Sequence, residues 1–151
     1  MLASLQEEFL NALRRNVAVL GCTGSIGQAT VDVIRALGAP YKLWAATAYD
    51  RRHQLEAIAD EFDVPWTALA KDAVDDRSPQ LGTAQTTRKR THRFGPEALV
   101  EIASHPEVDI VVAAIVGVAG LESCLAAAQA GKRLALANKE ALVVSGSILT
   151  D

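Results

Sequence analysis

The segment Gly21-Cys22-Thr23-Gly24-Ser25-Ile26-Gly27 sets three glycines at three-residue spacing. Glycines allow a tight turn and let backbone N–H groups come close to an anion. Thr23 and Ser25 add hydroxyl donors. The spacing is G-x-x-G-x-x-G rather than the commoner G-x-G-x-x-G. An apolar run precedes it and a helical pattern follows. In that setting the helix N-terminus adds partial positive charge, and the turn suits a pyrophosphate. A tight turn with close helix–sheet packing and no ligand would use the same glycines.

Three further clusters carry polar or small residues where chemistry is expected. Ala48 is followed by Tyr49, Asp50, Arg51 and Arg52. At the end of a second strand a carboxylate accepts hydrogen bonds from a ribose hydroxyl and favours NAD, whereas an arginine pairs with a 2′-phosphate and favours NADP. Both are present, so spacing leaves the choice open. Asp50 as a simple helix cap leaves the arginines to decide. Ala113-Ala114-Ile115-Val116-Gly117 ends an apolar run with residues small enough for a flat ring to lie against the backbone, though core packing explains most of them equally well. Asn138-Lys139-Glu140 follows another apolar run. Lys139 suits a substrate oxygen or phosphate, Glu140 a helix cap or an amide, Asn138 a ribose. A capping cluster with a solvated lysine fits equally.

His53, His92 and His105 have no metal-ligand spacing, and no Ser/His/Asp arrangement is apparent. Cys22 sits in the glycine turn, where a thiol can be activated, but it reads better as a small neutral filler. Cys124 reads as buried on an alanine-rich helix.

The elements that must position these residues alternate. Asn16–Leu20 reads as a buried strand. Ser25–Leu37 reads as a helix with Ile26, Ala29, Val33 and Leu37 on one face, ended by Gly38-Ala39-Pro40. Lys42–Ala48 is a second strand. Arg52–Phe62 is a helix with Leu55, Ile58, Ala59 and Phe62 inward. Trp66–Ala70 is a weaker strand. Lys71 to Gly95 is polar, either a long surface loop or irregular structure around one short strand. So long a loop is unusual in a compact domain, which argues for something short concealed there. Its basic cluster Arg88-Lys89-Arg90, with Arg93, has the charge to hold phosphate or nucleic acid but reads better as a solvated surface run. Pro96–Ser104 is a helix with proline first. Asp109–Val116 is the strongest strand and reads as buried on both faces. Leu121–Ala130 is a helix, Arg133–Ala137 a strand, and Glu140–Leu149 a last helix. Strand–helix alternation implies a Rossmann-like, doubly wound α/β fold with a mainly parallel sheet and helices on both faces. Ligands in such folds sit at the carboxyl ends of the strands.

The chain has 151 residues, half apolar and 22% charged. That is one domain with a core, not a disordered chain. No run reaches the roughly 18 apolar residues of a membrane span, and a net charge of −3 argues against nucleic acid as a partner. Two cysteines make no disulfide framework and suit a reducing, cytoplasmic setting. Residues 1–15, with Leu2, Leu5, Phe9 and Leu13 at helical spacing and Glu7 and Glu8 among them, read as an amphipathic surface helix rather than a signal peptide.

Four stretches together resemble the N-terminal domain of the 1-deoxy-D-xylulose 5-phosphate reductoisomerase family. They are residues 21–27, Val31-Asp32-Val33-Ile34, Ala113 to Gly117, and Ala135-Leu136-Ala137-Asn138-Lys139-Glu140-Ala141-Leu142-Val143, the last close to a family signature. The resemblance covers nearly all of Val17–Ser147 outside the polar stretch. It implies a rearrangement and NADPH-dependent reduction of 1-deoxy-D-xylulose 5-phosphate to 2-C-methyl-D-erythritol 4-phosphate, on the non-mevalonate route to isoprenoids, with Mg2+ or Mn2+ and a homodimeric enzyme. Carried over, Thr23, Gly24, Ser25 and Ile26 would hold the pyrophosphate, and Ala48, Tyr49, Asp50 and Arg51 would lie beside the cofactor at the end of the second strand. Ala114 and Ile115 would border the nicotinamide, Asn138 and Glu140 would contact the cofactor, and Lys139 the substrate. The family pattern after Ala48 is x-Arg/Lys-Asn; here Asp50 takes the basic place and Arg51 stands one residue on. The metal carboxylates and substrate-phosphate loop belong to a following catalytic domain. The resemblance therefore implies a cofactor-binding portion, residues 16–151, of a longer enzyme, inactive alone. A stand-alone dinucleotide-binding or redox-sensing module, or the N-terminal half of another NAD(P)-dependent dehydrogenase, are the competing readings.

Overall fold

The computed structural model describes residues 1–71, 90–116 and 120–137. Helix α1 (Leu2–Leu13) leads into β1 (Arg15–Leu20), α2 (Ser25–Leu37), β2 (Tyr41–Ala48), α3 (Arg52–Phe62) and β3 (Trp66–Leu69). Then come β4 (Thr91–Phe94), α4 (Pro96–Ala103), β5 (Ile110–Ala113), α5 (Leu121–Gln129) and β6 (Arg133–Leu136). The described strands form one parallel sheet in the order β4-β3-β2-β1-β5-β6. The order reverses at β1, whose neighbours are β2 and β5, so the crevice of a doubly wound sheet opens at the carboxyl ends of β1 and β5.

The core lies on both faces. Val17 and Val19 pack with Val31 and Ile34 of α2 and Leu55 and Ala59 of α3. Ala18 and Leu20 point the other way, toward Ala98 and Ile102 of α4 and Ala127 of α5. Strand alternation divides β1 between the two layers. In β2, Trp44 and Ala45 both join the α4 side although they are consecutive. The register explains this: Val17 pairs with Leu43 but Ala18 with Ala45, so one extra residue of β2 bulges and turns its face.

Several expectations hold. β3 and β5 are shorter than the apolar runs that suggested them, because pairing ends where neighbouring strands end. Ile110 and Val112 pack on one layer and Val111 on the other, so β5 is covered on both faces. α3 buries Leu55 and Ala59, with Ile58 and Phe62 against the same core. A strand does lie within the polar stretch: β4, joined to β3 by pairs such as Thr67 with His92. Residues 72–89, including Arg88 and Lys89, and the expected helix at 140–149 fall outside the described residues.

Two expectations are corrected. The buried face of α2 is Gly27, Val31 and Ile34, while Ile26, Val33 and Leu37 are exposed. The apolar stripe misled because Gly27, the residue that comes closest to β1's turn, has no side chain to signal its position. Arg90 is not part of a solvated run, whereas Arg93 remains exposed as expected. The Arg90 side chain is only 11% exposed; its guanidinium donates to the Val64 and Ala59 carbonyls at 2.7 and 2.9 Å and pairs with Asp60 at 2.9 Å. It braces the end of α3, adding a donor to Ala59 O, which also accepts from Val64 N–H, and one to Val64 O just beyond the helix. Arg93 pairs with Glu101 at 3.3 Å and lies over the Trp66 ring.

Candidate cofactor site

The glycine turn joins β1 to α2 at the switch point. Gly21 has φ +84°, a region that L side chains rarely adopt. A Cβ there would also stand 2.9 Å from the Ala114 carbonyl oxygen, just beyond β5. A Cβ on Gly27 would collide with the Gly21 carbonyl. The first and third glycines are thus required by backbone approach; a Cβ on Gly24 would make only an ordinary contact, 3.7 Å from Gly21 O, and Gly24 serves as the N-cap of α2 without any capping side chain. The first ladder bond of α2 is donated by Gln28 N–H to Gly24 O at 2.8 Å. Ser25, Ile26 and Gly27 therefore present N–H groups with no partner within the helix, at its positive end.

Thr47 fixes the turn to β2. The Gly21 N–H is shared between Thr47 O and Thr47 Oγ1, at 3.2 and 3.0 Å, and Cys22 N–H donates to Thr47 O at 2.8 Å. Sequence reasoning left Thr47 out of the site. Its signal was a lone hydroxyl at the end of the apolar run Leu43–Ala48, and a hydroxyl 1% exposed needs a partner. Cys22 is buried, and that burial pushes its thiol up to about 12, with a backbone hydrogen bond opposing the shift. A thiol held protonated is a filler, not a nucleophile.

Thr23 is buried in the turn, while Gly24, Ser25 and Ile26 face solvent. Ala48 is buried at the end of β2, and Tyr49, Asp50 and Arg51 are exposed beyond it. The structure separates the two arginines. Arg51, the N-cap residue of α3, reaches back so that its Nη1 donates to Thr23 O at 3.4 Å. Arg52 turns along α3 to Glu56, at 2.8 Å. A guanidinium therefore stands between the second strand's end and the glycine turn. Ala114 and Ile115 border the same turn from β5, half-buried, with Ala114 N–H bonded to Leu20 O at 2.9 Å. Asn138, Lys139 and Glu140, like Gly117, lie outside the described residues; Ala137 is tied to Ala113 O at 3.0 Å at this edge of the sheet.

The open cradle, the uncapped helix end and the guanidinium fit a dinucleotide carrying a phosphorylated ribose. A divalent cation fares differently: among the described residues no three His, Cys, Asp or Glu side chains gather to hold one. No step through a metal follows from them.

Fold and turn define a Rossmann-type nucleotide-binding domain, closed by a crevice at its topological switch point. The chain belongs to the 1-deoxy-D-xylulose 5-phosphate reductoisomerase family, whose model matches residues 17–146. It is 48% identical over 139 residues to the 1-deoxy-D-xylulose 5-phosphate reductoisomerase of Ralstonia nicotianae, covering 89% of this chain and 34% of that one. The Pseudomonas paraeruginosa enzyme of that name is 45% identical over 134 residues, with the same coverage. A crystal structure of DOX-P reductoisomerase with NADPH, fosmidomycin and magnesium superposes with TM-score 0.78 at 43% identity, over 89% of this chain and 33% of that one. The Zymomonas mobilis enzyme in complex with NADPH gives 0.77 at 38%, over 90% and 35%. The chain spans about a third of the length of these relatives.

Proposed function

We propose that residues 16–151 act as the NADPH-binding domain of a 1-deoxy-D-xylulose 5-phosphate reductoisomerase, with residues 1–15 a helical extension. The observation that carries this is the Gly21–Gly27 cradle with the Arg51 guanidinium beside it. Thr23, Gly24, Ser25 and Ile26 bind the pyrophosphate through the free amides of α2. Ala48 to Arg51 surround the adenosine ribose. Arg51 takes the 2′-phosphate, a bidentate role for which a guanidinium is suited, and replaces the basic residue that Asp50 displaces. Ala114 and Ile115 flank the nicotinamide; Asn138 and Glu140 contact the cofactor and Lys139 the phosphorylated ketose, by the family signature they occupy. Bound NADPH supplies a hydride to the carbonyl carbon of the rearranged substrate. The setting is cytoplasmic, the partner of the site a small molecule, and the assembly a homodimer.

Calorimetric titration of the chain with NADPH and with NADH tests the reading. The expected outcome is that NADPH binds more tightly than NADH and that Arg51→Ala weakens NADPH about tenfold or more, the effect of losing a charged hydrogen-bonding group, with NADH little changed. Preference for NADH would assign the ribose to Asp50. Binding of neither overturns the proposal.

A further inference from the structure

Helix α1 lies before the residues matched by the family model, and the cofactor reading gives it no role. Its orientation is unusual for an amphipathic helix on a domain surface. Leu2, Leu5, Phe9 and Leu13 are exposed, Phe9 at 64%, and no residue of α1 is buried. The side turned to the domain instead carries Glu7, Leu10, Asn11 and Arg14. On a 3.6-residue period these two sets fall on nearly opposite sides.

Beneath that second face lies a cavity of about 700 Å³ at the start of β2, the end of the strand away from Arg51. This is within the roughly 300–1,000 Å³ of small-molecule sites. Leu10 forms part of its roof; Tyr41 and the half-buried Phe62 supply apolar floor, whereas Ile34 and Leu43 belong to the core beneath. The charges around it are unequal. Arg35 is satisfied by Glu61, at 2.5 and 2.9 Å, and by Asp32 at 2.5 Å. Arg14 and Lys42 line the cavity without an ion pair among the described residues; the carboxylates on the lining are Glu7 and Glu61, the latter engaged by Arg35. Two unpaired cations beside an apolar floor form a site with a charged end and a greasy end.

We propose that this cavity binds a small amphiphilic anion, an acid head between Arg14 and Lys42 and a short apolar tail against Leu10, Tyr41 and Phe62. The proposal goes beyond the cofactor reading and stands on different residues. Sodium octanoate is a suitable probe for the whole 151-residue chain. The expected result in calorimetry is saturable 1:1 binding of octanoate, with octylamine and inorganic phosphate each about tenfold weaker or more, since one lacks the charge match and the other the tail. The double variant Arg14→Glu/Lys42→Glu loses octanoate binding while its melting temperature and its NADPH titration stay unchanged, both residues being outside the core and the cradle. Octylamine binding as well as octanoate, or octanoate binding that survives the double variant, overturns the proposal. So does sedimentation with phosphatidylglycerol vesicles that excess octanoate fails to reverse, which would assign α1's outward face to a lipid surface.

Discussion

Gly21 combines two constraints that a side chain cannot meet together: a left-handed backbone and an approach to the Ala114 carbonyl. The expected result of Gly21→Ala is a loss of about 1–3 kcal/mol in stability, the usual cost of such strain, with NADPH binding weakened as the turn shifts. Urea unfolding and titration measure the two effects. A variant as stable as the parent would show that the turn relaxes freely. Cys22, one residue on, is governed by burial. With its pKa near 12 in the folded chain against 9.0 unfolded, it stays protonated at pH 8. A thiol-specific disulfide reagent at that pH should react with it only after unfolding. The folded state holds this proton more tightly, so Cys22's contribution to stability falls as pH rises from about 9 toward 12. Rapid modification of the native protein at pH 8 would contradict the assignment.

Elements are held here by polar ties as well as by the core. β4 follows residues that lie outside the description, yet Arg90 immediately before it closes the carboxyl end of α3 with two carbonyl contacts and Asp60. Arg90→Ala removes the side-chain donor to Val64 O and one of several donors to Ala59 O, at a mostly buried position. The expected cost is about 1–3 kcal/mol, read as a lower urea midpoint at unchanged m-value. A surface arginine, the role its sequence suggested, would cost almost nothing. The difference was not legible in the sequence. A basic run looks the same whether it is solvated or caps a helix about 30 residues earlier. The stripe on α2 was misread for a related reason: periodicity shows that a helix has faces but does not say which face meets the sheet, and glycine at the contact leaves no apolar mark.

At the scale of the molecule, binding at a switch point couples the two halves of the sheet, since the cradle draws on β1, β2 and the chain beyond β5. NADPH that binds only the folded domain must stabilise it by mass action. At a concentration 100 times Kd this amounts to about 2.7 kcal/mol, or a rise of about 5–10 °C in Tm for a chain of this size. Differential scanning calorimetry checks this; an unchanged Tm in saturating NADPH would remove the domain-level reading. NADH at the same concentration should give a smaller rise.

The sequence by itself determined the alternation of strands and helices, the parallel doubly wound class and the position of the glycine turn. These follow from local causes: apolar runs, breakers, and a period of 2 or 3.6. It also marked four stretches as candidate sites, because strand ends are marked by abrupt changes of residue type. Tertiary structure alone decided which arginine stands at the turn, since Arg51 and Arg52 are adjacent and differ only in where α3 begins and which way each points. It alone brought Thr47 beneath Gly21, 26 residues apart in the chain. It alone turned the apolar face of α1 outward over a charged cavity. Each depends on which surfaces meet across the sheet, and a one-dimensional pattern carries periodicity but not partners.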